Sequence, residues 1–361
     1  MRIRDSHLNL QILIGALTFC CFSLMTCAAQ VTNDPTTYPP PGKLIDVGGW
    51  RLHLNCTGKS SGKTPTVVLE SGAGDFSVDW GLAQPEVARF ARVCSYDRAG
   101  TGWSELGPRP RTWRQVAYEL HTALQKAGEK GPYVLVGHSL GGLLIRVYAN
   151  QYPKELAGMV LVDSTHEDTV LIMNGKLKRM RELSQGRNLP PIRTTISSAE
   201  KELSAEEKQG VEDSLKQMGA PQIGSPYNRL PAELQAARLW VLTQPRHYTA
   251  DSYDYMGEEF AELYAARQKQ EYPLGDAPLV VLLQKPGKPD APPSGISADV
   301  WERFNDEKRR QKVEFTKLSR NSKLIVAENS GHHIHLDEPA VVTNAIRQVI
   351  EASRRGEKLP Q

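Results

Sequence analysis

An α/β fold built on a mostly parallel sheet is predicted by three features of the sequence. Short apolar runs of the kind buried on both faces recur at residues 66–70, 133–136, 156–162, 277–283 and 323–327, and stretches of helical periodicity separate them. One run, Tyr133-Val134-Leu135-Val136, passes through Gly137-His138-Ser139-Leu140-Gly141 into the helix-like stretch from Gly142 to Tyr148. Between 166 and 275 the composition turns to Glu, Lys, Arg, Gln and Met and no such run appears, so a mostly helical block is expected to interrupt the sheet.

The turn at 137–141 carries the clearest chemical signal. A serine at a sharp strand-to-helix turn takes up a strained backbone, and glycines at 137 and 141 remove side chains that would collide with it and with the helix behind. The hydroxyl of Ser139 is thereby raised above the end of the sheet. The backbone N–H of Leu140, at the positive end of the helix, faces the place where an oxyanion would form. A second block, Tyr96-Asp97-Arg98-Ala99-Gly100-Thr101-Gly102-Trp103-Ser104, follows another strand.

With both blocks at this separation, the sequence resembles the α/β-hydrolase superfamily, and within it the secreted or periplasmic serine hydrolases that carry a Tyr-Asp-Arg-Ala-Gly block. The resemblance covers residues 42–165 and 276–352. It implies an eight-stranded, mostly parallel sheet with helices on both faces and a helical cap, residues 166–275, between the sixth and seventh strands. Neither NAD nor a metal is implied.

Residues 1–9 are basic, with Arg2, Arg4 and His7, and 10–25 are largely apolar. Small residues follow, so residues 1–29 read as a signal peptide cut after Ala29; a largely apolar stretch of sixteen residues is short for a membrane span, and no stable span is expected after cleavage. Thr before Cys27 makes a poor lipoprotein site. Residues 30–41, rich in Thr and Pro, read as a linker. A formal charge of +3 and the lack of a basic run with interleaved aromatics exclude nucleic acid as an expected partner.

Of five cysteines, Cys20, Cys21 and Cys27 fall in the leader, leaving Cys56 and Cys94 in two strand-like runs. Two cysteines in an exported chain invite pairing, against the alternative of two buried thiols. The resemblance makes their strands, the second and fourth, neighbours in the sheet.

The strand at 66–70 runs into Ser71-Gly72-Ala73-Gly74-Asp75, a loop slim enough for a backbone N–H to approach a substrate carbonyl. By the resemblance Ala73 supplies the second oxyanion donor beside Leu140. Residues 84–91 read as a helix with Pro85 in its first turn, and 92–96 as the next strand. Asp97 and Arg98 are expected to act structurally, as an ion pair tying the loop under the site. Residues 112–127 read as a helix capped by Thr112. The strand 156–162 ends at Asp163, and catalytic groups of open parallel sheets gather at such strand ends.

In the block 166–275, Trp240, Leu242, Tyr248, Tyr253, Tyr255, Met256, Phe260 and Tyr264 either line a substrate pocket or form the block's own core. Residues 298–318 read as a charged amphipathic helix. After the last strand, Gly331-His332-His333-Ile334-His335 places a histidine where the superfamily has its general base, and His332 fits best. Three histidines alone, without Cys or carboxylates at ligand spacing, do not make a metal site. For the acid that orients the imidazole there are two candidates: Asp163, preferred because it closes a buried strand, and Asp290, in a Pro- and Lys-rich loop after the seventh strand.

The resemblance therefore implies hydrolysis of a small-molecule carboxylic ester or acyl substrate through an acyl-enzyme on Ser139. An amidase, aminopeptidase or acyltransferase would use the same residues. A non-catalytic relative would normally have lost the serine or the base.

Overall fold

The computed structural model describes residues 38–62, 64–250, 253–285 and 291–360. The leader and Asp290 lie outside them. The strands in chain order are β1 (Lys43–Asp46), β2 (Arg51–Thr57), β3 (Thr66–Glu70), β4 (Val93–Tyr96), β5 (Tyr133–His138), β6 (Leu156–Val162), β7 (Val170–Met173), β8 (Lys176–Arg179), β9 (Leu279–Gln284) and β10 (Ser322–Ala327). Eight of them form one sheet in the order β1-β2-β4-β3-β5-β6-β9-β10. β2 runs antiparallel to β1 and β4, and every other pairing is parallel. β1 was not legible: of its four residues at the sheet edge, Lys43 and Asp46 are exposed and Leu44 and Ile45 only half-buried, so there is no buried-type run.

Because strand side chains alternate faces, each central strand feeds two cores. Val68, Cys94, Leu135 and Leu161 pack with Leu120 and Leu124 of α2 (Trp113–Lys126) and Ile145 of α3 (Leu140–Gln151). Val67, Val134, Val136 and Val160 pack with Val87 and with Val342, Ile346 and Val349 near the C-terminus. That is why these strands read as unbroken apolar runs rather than alternating ones. Helix α2 begins where expected, the Thr112 hydroxyl accepting from the Gln115 N–H at 3.2 Å. The first helix is shorter than expected, ending at Ala88 rather than Ala91.

Between β6 and β9 the chain is less helical than expected. β7 and β8 form a separate antiparallel hairpin, reversing through Asn174 and Gly175, both at positive φ (49° and 69°). Its β8 strand alternates exposed and half-buried residues, with no apolar run to betray it. Helices α4 (Ala205–Met218), α5 (Ala232–Val241) and α6 (Met256–Gln268) follow. The charged segment after β9 is α7 (Ala298–Glu314), closed by a 3₁₀ turn over Phe315–Leu318. Helix α8 (Ile334–Asp337) and α9 (Pro339–Arg355) end the fold. Among the described residues no helix is long and apolar enough to cross a membrane.

Cys56 and Cys94 face each other directly in the β2–β4 register and are joined as a disulfide. The crosslink spans 38 residues of sequence. A loop of that size stabilises by about 4 kcal/mol in the chain-entropy account. Reduction under native buffer is expected to lower Tm by about 6 °C. An unchanged Tm after verified reduction would show that the folded sheet, not the crosslink, holds β2 and β4 together.

Candidate active site

Ser139 sits between β5 and α3 with φ 52° and ψ −118°, a conformation that a side chain with a Cβ pays to adopt. The surrounding chain enforces it. The Ser139 N–H donates to the Val162 carbonyl at 3.1 Å, and its own carbonyl accepts from Gly142 and Thr165 at 3.1 and 3.0 Å. A Cβ at Gly137 would lie 2.5 Å from the Gly141 carbonyl oxygen, and one at Gly141 would lie 2.5 Å from that of Glu70. Only glycine allows the helix to start this close to the sheet, as the sequence pattern implies.

Asp163 follows β6 and is likewise held at positive φ, 41°. Its Oδ2 is 2.6 Å from His332 Nδ1, and its Oδ1 is 2.5 Å from Nζ of Lys312 on α7. Burial opposes a charge on Asp163, but the His332 hydrogen bond and the Lys312 ammonium outweigh it and hold the carboxyl down at about 2. The carboxylate is therefore ionised at any working pH. The stability it contributes is present above its unfolded value of about 4 and is lost only as pH falls towards 2. Lys312 carries no distinguishing signal in the sequence, being one lysine in a helix crowded with charge.

With Nδ1 engaged, His332 has Nε2 for other work, and its side chain is 44% exposed. Two contacts fix its loop. Gly331 N–H donates to Asp337 Oδ2 at 3.0 Å, and His138 Nε2, next to Ser139, lies 3.0 Å from the His332 carbonyl. A carbonyl only accepts, so His138 carries its proton on Nε2. Burial lowers the His138 imidazole, against the raising effect of Asp75 nearby. The rings of His138 and His332 are 4.6 Å apart, which brings the elbow and the histidine loop together.

The 71–75 loop is set by Arg98. Its guanidinium pairs with Glu70 Oε1 at 2.8 Å and donates to the carbonyls of Ser71 and Gly72 at 2.8 and 2.6 Å. In a trans peptide the N–H points opposite to the C=O, so the Ala73 N–H is aimed away from Arg98. Arg98 thus ties the loop as expected, but not by pairing with Asp97. Asp97 instead takes His53 Nδ1 at 2.8 Å and the Ser77 and Trp103 N–H groups at 2.8 and 3.0 Å.

Asp75 was not singled out by the sequence, yet it joins the loop to the inserted block. Tyr227 donates to Asp75 Oδ1 at 2.7 Å, and Arg238 of α5 lies 3.2 Å from the same oxygen while also pairing with Asp79. Burial opposes the Asp75 charge, but His138, His333 and Arg238 outweigh it and hold the carboxyl well below its usual range. Of the eight apolar candidates in the block, Tyr253 and Phe260 are buried against Trp113, Leu143 and Leu144 of the core, and Trp240 against Phe76 and Trp103. Tyr255 and Tyr264 lie under Arg187 and Arg181 instead. Trp240, Tyr253 and Phe260 thus pack the inserted block onto the α/β core, a role beyond the block's own interior.

The sheet order, the serine at a strained strand-to-helix turn and the Asp163–His332 contact between the loops after β6 and β10 define an α/β hydrolase. The match to known families agrees: the chain belongs to the alpha/beta hydrolase family, whose model matches residues 67–345. An "AB hydrolase superfamily protein" of Gibberella zeae is 24% identical over 84% of this chain and 92% of its own. The first curated relatives matched are longer proteins, the aligned stretch being 19% and 29% of their length. Among solved structures, a thermophilic esterase from Thermogutta terrifontis has a TM-score of 0.52 at 19% identity, covering 84% of this chain and 94% of that one. The epoxide hydrolase CorEH has a TM-score of 0.51 at 17% identity, covering 84% and 94%. At these identities the likeness is one of fold.

Proposed function

We propose that this protein is an exported serine hydrolase that cleaves a carboxylic ester. The observation that carries the reading is Ser139 held at positive φ on the elbow, with the His332–Asp163 pair on the adjoining loops. Epoxide hydrolases of this fold attack with a carboxylate, and a serine stands in that place here.

Each residue has a defined part in the reaction. Asp163 accepts the Nδ1–H of His332 and so leaves Nε2 unprotonated towards the serine. Nε2 takes the proton of Ser139 Oγ as that oxygen attacks the ester carbonyl. The negative charge moves to the carbonyl oxygen, where the N–H groups of Leu140 and Ala73 receive it. The protonated imidazole then gives its proton to the departing alcohol, leaving an acyl group on Ser139. Water repeats the cycle, its proton going to His332, and releases the acid. Export is supported by the disulfide, which oxidising compartments favour.

The test is a panel of p-nitrophenyl esters of increasing chain length, run beside matching anilides on the purified protein. Ester turnover that a fluorophosphonate abolishes is expected. Turnover of anilides alone would replace the ester reading with an amidase.

Lys312 adds a second check. Its ammonium sits against the acid rather than the serine, so Lys312→Met is expected to retain activity at neutral pH while moving the acid limb of the kcat/KM profile upward, because a cation that helps hold the Asp163 carboxyl down is gone. A profile that falls in height without moving would assign Lys312 a packing role only.

A further inference from the structure

A cavity of about 390 Å³ lies apart from Ser139, His332 and Asp163. It is enclosed by the start of α2, the later turns of α3, helix α6 and the chain that follows α6. Its size falls within the range of small-molecule sites, about 300–1,000 Å³. Apolar walls come from Val147, Leu263, Leu274 and Leu318.

Four residues of its lining carry buried polar atoms that have no hydrogen-bond partner among the described residues: Arg146 Nη1, Trp113 Nε1, Arg114 Nε and Glu259 Oε2. Three of these are donors. Each such atom left unmatched costs roughly 1–3 kcal/mol, so a cluster of them in one cavity points to something that satisfies them.

The charge in the cavity wall has the matching sign. Arg146 is only 4% exposed. Its Nη2 is 2.7 Å from Glu167 Oε2, and the same carboxylate also faces Arg267 at 3.9 Å. Two guanidiniums thus share one carboxylate, and Lys269 and Arg114 line the cavity as well. On the acidic side stand Glu262 and Glu259. Burial pushes Glu259 up to about 8, so it is protonated at neutral pH and adds no negative charge.

We infer that this cavity is a binding site for a carboxylate with an apolar tail. The carboxylate oxygens take the Arg146 and Trp113 N–H groups, protonated Glu259 offers its own O–H, and the tail lies against Leu263 and Leu318. Leu263 and Trp113 belong to the same apolar cluster as Leu143 and Leu144, against which Leu140 also packs. An occupant therefore presses on the helix that begins at the elbow.

Octanoate, with n-octanol as the uncharged control, is the probe. Titration calorimetry on the intact protein is expected to show one saturable octanoate site and at least tenfold weaker octanol binding. Arg146→Gln is expected to weaken octanoate at least tenfold, since a hydrogen bond to a charged group contributes about 1.5–3 kcal/mol. Arg146 also pairs with Glu167, so Trp113→Phe serves as the second variant: it removes the indole N–H and keeps an aromatic, though smaller, side chain in the same apolar cluster, and at least a threefold loss is expected. Water trapped on these atoms instead would give no saturable octanoate binding and overturns the site. Binding that both variants leave unchanged places octanoate elsewhere and overturns it equally.

Discussion

Replacing Ser139 with alanine is expected to lower ester turnover by about 10⁶-fold while the protein folds normally. The size of the loss follows from the way such groups work as a unit. Without the Ser139 hydroxyl no acyl-enzyme forms, and the His332–Asp163 pair has no proton to take from it. The residual rate comes from the oxyanion donors and binding alone. The fold should not suffer, because the contacts that hold residue 139 are made by its backbone N–H and carbonyl. Positive φ remains costly for alanine, as it is for serine, so the change in stability is small. The measurement is single-turnover hydrolysis of the best p-nitrophenyl ester, with circular dichroism on the same sample. Turnover within tenfold of wild type in a folded variant would end the serine-hydrolase reading.

The elbow was legible because its chemistry needs particular residues at particular spacing: glycines where an added Cβ would lie 2.5 Å from a backbone carbonyl oxygen, and an apolar run on either side. The buried strands were legible because both faces of the sheet are covered, so each reads as a continuous apolar run. Strand β1 and the β7–β8 hairpin were not, since they are half-exposed and short, and nothing local separates Lys-Leu-Lys-Arg from a loop. The role of Asp163 was half legible, as a strand-end carboxylate, whereas Lys312, Asp75 and Arg238 act through contacts 149 to 163 residues distant in sequence. No periodicity encodes such a partner. Three-dimensional closure alone brings α5 and α7 to the loops around Ser139.

Asp163→Asn is expected to lower kcat by about 10⁴-fold, and the loss should be in orientation rather than in binding. Asparagine fills the same space but can present its NH₂ towards Nδ1, which turns the imidazole to the tautomer that holds a proton on Nε2. That tautomer cannot accept from Ser139. The geometry also predicts a second consequence. Lys312 lies 2.5 Å from Oδ1 and is partly buried, so losing the carboxylate leaves its ammonium without that countercharge. Breaking a buried pair in this way costs about 3–5 kcal/mol, discounted here by the partial exposure of Lys312. Asp163→Asn should therefore be less stable as well as slow, and adding Lys312→Met to it should recover stability without recovering rate. The rival acid, Asp290, lies outside the described residues and is tested by Asp290→Asn measured in parallel. If Asp290→Asn is the crippled enzyme and Asp163→Asn keeps most of its rate, the Asp163–His332 contact braces the histidine loop, and the acid comes from the loop after β9.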